Sequence, residues 1–345
     1  MHMFLGAHIM KVNVSWINGI TIKLGKDVLY FDPSKKNKVN NPIFISHAHS
    51  DHLGGLGSTG KCHVTKGTLD ILSQKKDKRT KNFKQIKYGN SVKINDIEII
   101  AHNAGHMLGS AQYEIKGLES NITYTGDINY RDMLTTKAAK PLSSDVLIIE
   151  STFGNPHYVF PNLMETCMRL IDWTIEEIRR KKIPVFKVYS AGKAQEVIKI
   201  LNNFTALPVV THPEVTRICK AYVNNGVNLT YVDSTNEEGK ELLRGRECVF
   251  ITSSYSTIPD LKKCSLAAAT GWAVRYRLKN VDAAFPLSSH ADFNQLVEYI
   301  KDSKPRQIFT IYGFKEIFAN YLSKKLGIKA RSLVPKNQKS LSEFL

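Results

Sequence analysis

No stretch of the chain holds 18 consecutive apolar residues, so nothing in it reads as a transmembrane helix. The start, Met1 to Met10, lacks a basic opening followed by a long apolar core, which reads against a secretory signal. Cysteine is sparse and scattered, at Cys62, Cys167, Cys219, Cys248 and Cys264. With no C-x-x-C pair, a thiolate metal site or dithiol motif is excluded. An odd, dispersed set fits buried thiols in a reducing cytoplasm. No internal repeat or low-complexity segment is present. Negative charge is also short: 31 acidic residues face 48 Lys and Arg, a formal net of +17. The excess concentrates between Lys61 and Lys93, where ten cations meet only Asp70 and Asp77, a net of +8. A cationic face implies a polyanionic partner, most simply nucleic acid. General lysine richness is the competing explanation.

What is present is enough for a substantial core: 345 residues, 42% of them hydrophobic, in one large domain or two. Short β-rich runs at Val12–Ile17, Ile20–Leu24 and Val28–Phe31 read as an opening meander, with Met10 to Val12 beginning the folded part. Asn41–Ile45 reads as a buried strand, Thr68–Gln74 as a short helix, and Val92–Ala101, Ala111–Ile115, Asn121–Tyr124 and Val146–Ile149 as strands. The texture then changes. Helices at Leu163–Lys181, Gly192–Leu201 and Pro213–Asn224 alternate with strands at Pro184–Tyr189, Pro208–Val210, Val249–Thr252 and Leu266–Ala269, which predicts a parallel α/β unit. The chain closes with a helix over Phe293–Lys301, a strand over Gln307–Ile311 and a helix over Lys315–Leu326.

One stretch organises the rest. Ser46-His47-Ala48-His49-Ser50-Asp51-His52 leaves the end of the Asn41–Ile45 strand with three imidazoles and a carboxylate. Those are ligands of borderline divalent metals, zinc above all. A tight turn lets His47 and His49 face one ion while Asp51 and His52 turn to a neighbouring point. Gly54 and Gly55 allow close backbone packing beneath. A second loop, Gly105-His106-Met107-Leu108-Gly109-Ser110, carries a further histidine. Ser190-Ala191-Gly192-Lys193-Ala194-Gln195 is a strand, a glycine turn and a helix N-terminus with a lysine, which suits a phosphate. An ordinary helix start with a solvated lysine is the plainer reading.

His47-Ala48-His49-Ser50-Asp51-His52 resembles the signature of the metallo-β-lactamase superfamily. That likeness implies an αββα sandwich, two facing β-sheets with helices outside and metal at one sheet edge. By the same resemblance His106 is a metal ligand, Asp127 in Thr125-Gly126-Asp127 bridges two ions, and Asp32 orients the ligating histidines. Glu150-Ser151-Thr152-Phe153-Gly154, Gly192-Lys193-Ala194-Gln195, Thr270-Gly271-Trp272 and Phe285-Pro286-Leu287-Ser288-Ser289-His290-Ala291-Asp292 resemble the β-CASP subgroup. The short ligase-associated DNA exonucleases and archaeal mRNA 3′-end processing factors are the nearest likeness. It implies an inserted α/β β-CASP domain at 155–280, within a discontinuous metallo-β-lactamase domain formed by 1–154 and 281–345. The active site then lies in the cleft between the two parts.

The resemblance further implies a metal-dependent nuclease. His47, His49, His106 and Asp127 hold a zinc ion, and Asp51, His52 and Asp127 a second, weaker one open to Mn2+ or Mg2+. Catalysis falls to Asp51, Asp32, and a Glu150–His290 pair that protonates the leaving oxygen. Ser190, Gly192, Lys193 and Ser289 are the expected phosphate contacts. One departure stands out: where RNA-cutting members carry a further metal-binding histidine, this chain has Tyr312. That favours DNA, with exonuclease-type activity in repair, over RNA processing. A nucleic-acid-binding scaffold with weak catalysis and a non-nucleic-acid hydrolase such as a thioesterase are the alternatives. No membrane partner and no particular oligomeric state is implied.

Overall fold

The computed structural model describes residues 12–335 apart from 37, 39, 76, 78–82, 118, 119 and 259. Met1 to Lys11, and with them the start of the expected folded part, lie outside that range, as do Lys76, Lys78, Arg79 and Lys81 of the basic stretch.

Nineteen strands among the described residues form three sheets. The first runs in chain order: β1 (Asn13–Trp16), β2 (Ile20–Leu24), β3 (Asp27–Phe31), β4 (Ile43–Phe44), β5 (Cys62–Thr65) and β6 (Phe83–Ile86). The opening meander is antiparallel, as expected, but from β3 onward the pairs are parallel. The second sheet contains β7 (Ser91–Ile94), β8 (Ile97–Asn103), β9 (Ala111–Lys116), β10 (Asn121–Tyr124) and β11 (Val146–Glu150), with β18 (Gln307–Ile311) and β19 (Ala330–Ser332) beyond β11. Apolar alternation fixes which face is inside: Ile20, Ile22 and Leu24 of β2 meet Ile97, Ile99 and Ala101 of β8 in one buried cluster between the sheets. On β11, Ile148 enters that cluster, whereas Leu147 and Ile149 face α6 (Phe293–Ser303) and α7 (Lys315–Leu326). A strand buried on both faces must be apolar at every position, which is why Val146–Ile149 has no alternation.

The third sheet is wholly parallel, in the order β14 (Val232–Asp233), β13 (Val209–Thr211), β15 (Val249–Thr252), β12 (Ile183–Lys187), β16 (Cys264–Ala269) and β17 (Ala283–Phe285). α2 (Leu163–Arg179), α3 (Lys193–Phe204) and α4 (Pro213–Asn224) pack one face into a cluster shared with α1 (Lys66–Gln74) and the outer side of the first sheet. α5 (Glu237–Gly245) lies against the other face, through Leu242 and Leu243. The sequence reading has neither β5, β6, β14, β17 and β19 nor α5. β6 and β19 are edge strands with little buried apolar surface, and α5 buries only Gly239, so periodicity is weak in all three. No helix among the described residues is long and apolar enough to cross a membrane. All five cysteines are buried, and none is in a disulfide among the described residues.

This topology aims strand ends at one place. The segments that follow β4, β10, β11 and β18 in the sandwich and β12, β13, β16 and β17 in the third sheet converge on one cleft, at the carboxyl ends of the parallel strands.

Candidate metal centre

His47 and His49 follow β4, His106 lies on the β8–β9 loop, and Asp127 follows β10. One ligand atom from each falls within 4.8 Å of all the others. The His49 Nδ1 atom is 3.0 Å from His47 Nε2 and 3.1 Å from His106 Nε2. Asp127 Oδ2 is 3.4 Å from His47 Nε2 and 3.7 Å from His106 Nε2. Two glycines permit this crowding. A Cβ on Gly126 would meet Ser46 Cβ at 2.6 Å, and a Cβ on Gly54 would meet the Ser34 carbonyl at 2.1 Å.

Each ring spends its far nitrogen on the protein. His49 Nε2 lies 3.2 Å from the Ala191 carbonyl, and His106 Nδ1 lies 2.9 Å from the Ser289 carbonyl. A carbonyl can only accept, so both nitrogens donate, and the lone pairs of His49 Nδ1 and His106 Nε2 face the shared point. His47 Nδ1 contacts Ser46 Oγ, which is bonded in turn to Asp32. Three aimed imidazole lone pairs and one carboxylate are a donor set suited to zinc, with the outer hydrogen bonds that hold such rings in place. Burial reinforces this. It pushes His47 and His106 well below their ordinary pKa and His49 down to about 4, so the rings stay neutral and able to ligate. Burial also raises Asp127, to about 6.

The neighbouring point is built differently. His52 Nε2 lies 3.6 Å from both Asp51 Oδ2 and Asp127 Oδ2, while its Nδ1 is 2.8 Å from Asp32 Oδ2. Burial opposes charge on His52, but Asp127 and Asp32 outweigh it and raise the ring to about 10. Asp51 is open, its side chain 78% exposed. Asp32 is buried beneath, accepting from Ser46 N and the Tyr124 hydroxyl as well. It positions His52 and the His47 turn and does not line the cleft. Tyr312 takes a left-handed backbone (φ 59°), stands edge-on to His52 at 5.5 Å, and shares a hydrogen bond with Tyr124. Burial, with Asp32 nearby, holds its phenol far above the usual value, so it stays neutral.

Glu150, fully buried, accepts at Oε1 from Ile128 N and His290 Nδ1 (2.8 Å) and at Oε2 from Thr152 N. Its acceptors are thus committed, although it clusters with Asp127 and His290. His290 Nε2 is turned to Asp127 at 3.9 Å. Burial works against charge on His290, but Glu150 and then Asp127 outweigh it, and its pKa is raised.

The cleft, about 820 Å3, brings together His49, Asp51, His52, His106, Asp127, Ser190, Lys193, Ser289, His290 and Tyr312. The expected phosphate contacts fare unequally. Ser190 Oγ donates to Glu214, and Gly192 N donates to Gln195 Oε1 inside its own helix cap. Lys193 is buried with Nζ on the Leu287 carbonyl, and desolvation lowers it to about 7. The Ser289 hydroxyl has no hydrogen-bond partner among the described residues. Of the described members of the basic stretch only Lys75 lines the cleft. Tyr189, Glu214, Arg217 and Trp272 also line it and form no part of the sequence-derived site. Trp272 is signalled in the sequence only as part of the Thr270-Gly271-Trp272 motif, and the signal of the other three is position after parallel strands, which becomes visible only once the strand order is known.

Residues 31–179 match the family described as "Beta-lactamase superfamily domain", and residues 273–333 match "Zn-dependent metallo-hydrolase RNA specificity domain". The chain is 31% identical over 314 residues to a "Probable DNA ligase" of Opitutus terrae, covering 86% of this chain and 29% of that protein. It is 27% identical over 356 residues to an "RNase J-like protein" of Methanocaldococcus jannaschii, covering 81% and 83%. With the "Cleavage and polyadenylation specificity factor subunit 3" of Dictyostelium discoideum it shares 25% over 374 residues, 89% and 47% of the two chains. It thus spans under a third of the Opitutus protein and about half of the Dictyostelium one. A protein of unknown function from Enterococcus faecalis V583 has the same fold, with TM-score 0.63 over 95% of this chain and 99% of that one at 13% identity. The two family matches include His47, His49, His106 and Asp127 in the first and His290 in the second, and the chain belongs to the β-CASP family of the metallo-β-lactamase fold.

Proposed function

We propose that the chain is a metal-dependent phosphodiesterase that cuts nucleic acid. The observation that carries this reading is the set of three histidine lone pairs and Asp127 aimed at one point, with the Glu150–His290 pair beside it. In this reading His47, His49, His106 and Asp127 hold the first ion, and Asp51, His52 and Asp127 a second, weaker one. A divalent ion bound there supplies Lewis acidity toward phosphoryl oxygens and activates water for attack. Asp32 holds His52 and the His47 turn in place. Glu150 keeps His290 protonated, and His290 delivers that proton from Nε2 to the departing oxygen. Ser289 offers a free hydroxyl to the phosphate. Lys193 lies beneath with its Nζ on the Leu287 carbonyl, and Ser190 and Gly192 shape the loop around it.

DNA exonuclease-type activity in repair is the first reading of the substrate, supported by Tyr312 and by the name of the Opitutus relative. RNA processing is the second, favoured by the match over 273–333 and the RNase J-like relative. The division into a metallo-β-lactamase domain of 1–154 and 281–345 and an insert of 155–280 is part of the same proposal. It is supported by the change from a sandwich to a wholly parallel sheet. The buried thiols, none of them in a disulfide among the described residues, support a cytoplasmic location. Degradation of single-stranded DNA and RNA, each end labelled in turn and with zinc supplied, is the test. Turnover of neither polymer refutes the proposal, and turnover of RNA alone refutes the DNA preference.

A further inference from the structure

Tyr189 is the most exposed large apolar side chain among the described residues, 75% accessible, and it stands in the cleft. Isolated surface aromatics are ordinary. This one differs in what holds it and what it faces. Its carbonyl accepts from Ala194 N at 3.1 Å, and two residues on, Ala191 O holds His49 Nε2. The loop that fixes a metal-ligand candidate therefore also fixes the tyrosine backbone. The ring is left unpacked: its one ring neighbour among the described residues is His49, at 5.9 Å and 44°. Its hydroxyl has no hydrogen-bond partner among them. Core packing thus makes no use of this aromatic face. Arg217 lines the same cleft, a cation that suits a phosphate of the strand, while Lys75 Nζ there is held on the Ala48 carbonyl at 2.9 Å, and Trp272 lines it as well.

We propose that Tyr189 is a stacking platform for the nucleobase adjoining the phosphate at the metal centre. The proposal rests on the phosphodiesterase reading and adds a base-binding subsite to it. Bases are flat and expose an open π-face only when unpaired, so the subsite takes a single strand of any sequence. A duplex, whose bases are already stacked on one another, has no face to offer.

The test compares an oligothymidylate with an abasic strand of equal length, on wild-type protein and on Tyr189→Ala, Tyr189→Phe and Tyr189→Trp. The expected result is that the thymidylate-to-abasic ratio of kcat/KM falls roughly tenfold in Tyr189→Ala and is restored by Phe and Trp. A ratio equal to wild type in Tyr189→Ala overturns the proposal, because loss on both strands alike means only that the His49 loop has moved. A binding arm uses 2-aminopurine in an oligothymidylate, whose fluorescence falls on stacking. Quenching by wild type and not by Tyr189→Ala is expected, and equal quenching by both overturns the proposal. If wild type cleaves neither strand, the phosphodiesterase reading fails, and the fluorescence arm still decides on Tyr189.

Discussion

The two halves of the ligand cluster share Asp127 and little else. At the first point three rings converge at about 3 Å, each with its far nitrogen held by the protein and its charge suppressed by burial. At the second, one ring faces an exposed Asp51, and Tyr312, hydrogen-bonded to Tyr124, stands edge-on to that ring at 5.5 Å. Preorganised neutral nitrogen favours zinc, whereas a site made mainly of carboxylate favours harder cations and binds them less tightly. The difference teaches that the same short turn can supply one rigid half and one open half.

Removing a ring from the rigid half has the largest effect. His49→Ala should lower both zinc retention and phosphodiester hydrolysis by more than about a hundredfold while the thermal transition persists. Wild-type zinc content in the dialysed variant breaks the contrast between the halves. Next comes His290, whose Nε2 is turned to the shared carboxylate at 3.9 Å. His290→Ala should cost about a hundredfold in kcat. Glu150→Gln carries the sign: the carboxylate raises the His290 pKa, so its loss lowers it, and the alkaline limb of the pH–rate profile moves to lower pH. A limb that stays in place removes His290 from the acid role.

The open half responds by gaining. Wild-type protein should hold one zinc through dialysis against a weak chelator and respond to added Mn2+. Tyr312→His should tighten the second ion roughly tenfold and shift preference toward RNA. Two zinc ions retained by wild type would erase the distinction. The smallest change is Tyr312→Phe. It breaks the hydrogen bond to Tyr124 and should cost about 1 kcal/mol of unfolding free energy by denaturant titration. No measurable loss means that the phenol is not held as the structure has it.

Most strands and helices were legible because buried faces leave a period of two or 3.6 in the sequence. The His47–His52 turn was legible as a candidate site because its histidines and Asp51 are neighbours in the chain, and a pattern packed into six residues survives without knowing the fold. Asp32, His106, Asp127, Glu150 and His290 were expected only through family resemblance, since single acids and histidines after strands carry no spacing of their own; the structure brings His106 and Asp127 to His47 and His49, and Glu150 to His290. Lys193 and Ser190 show the limit. Both sit where a phosphate contact is expected, yet Lys193 is turned onto Leu287 and Ser190 gives its proton to Glu214, on a helix 24 residues away.

By itself the sequence determined the His47–His52 cluster of imidazoles and carboxylate, the apolar alternation of the sandwich and the shift to parallel α/β texture, all of them local patterns. Tertiary structure alone decided which residues share a cleft. That depends on strand order, which brings the carboxyl ends of distant parallel strands together, so that Tyr189, Glu214 and Trp272 meet His49 and Asp127. It also decided which polar groups are already spent, because a donor is free only if nothing folded beside it accepts first.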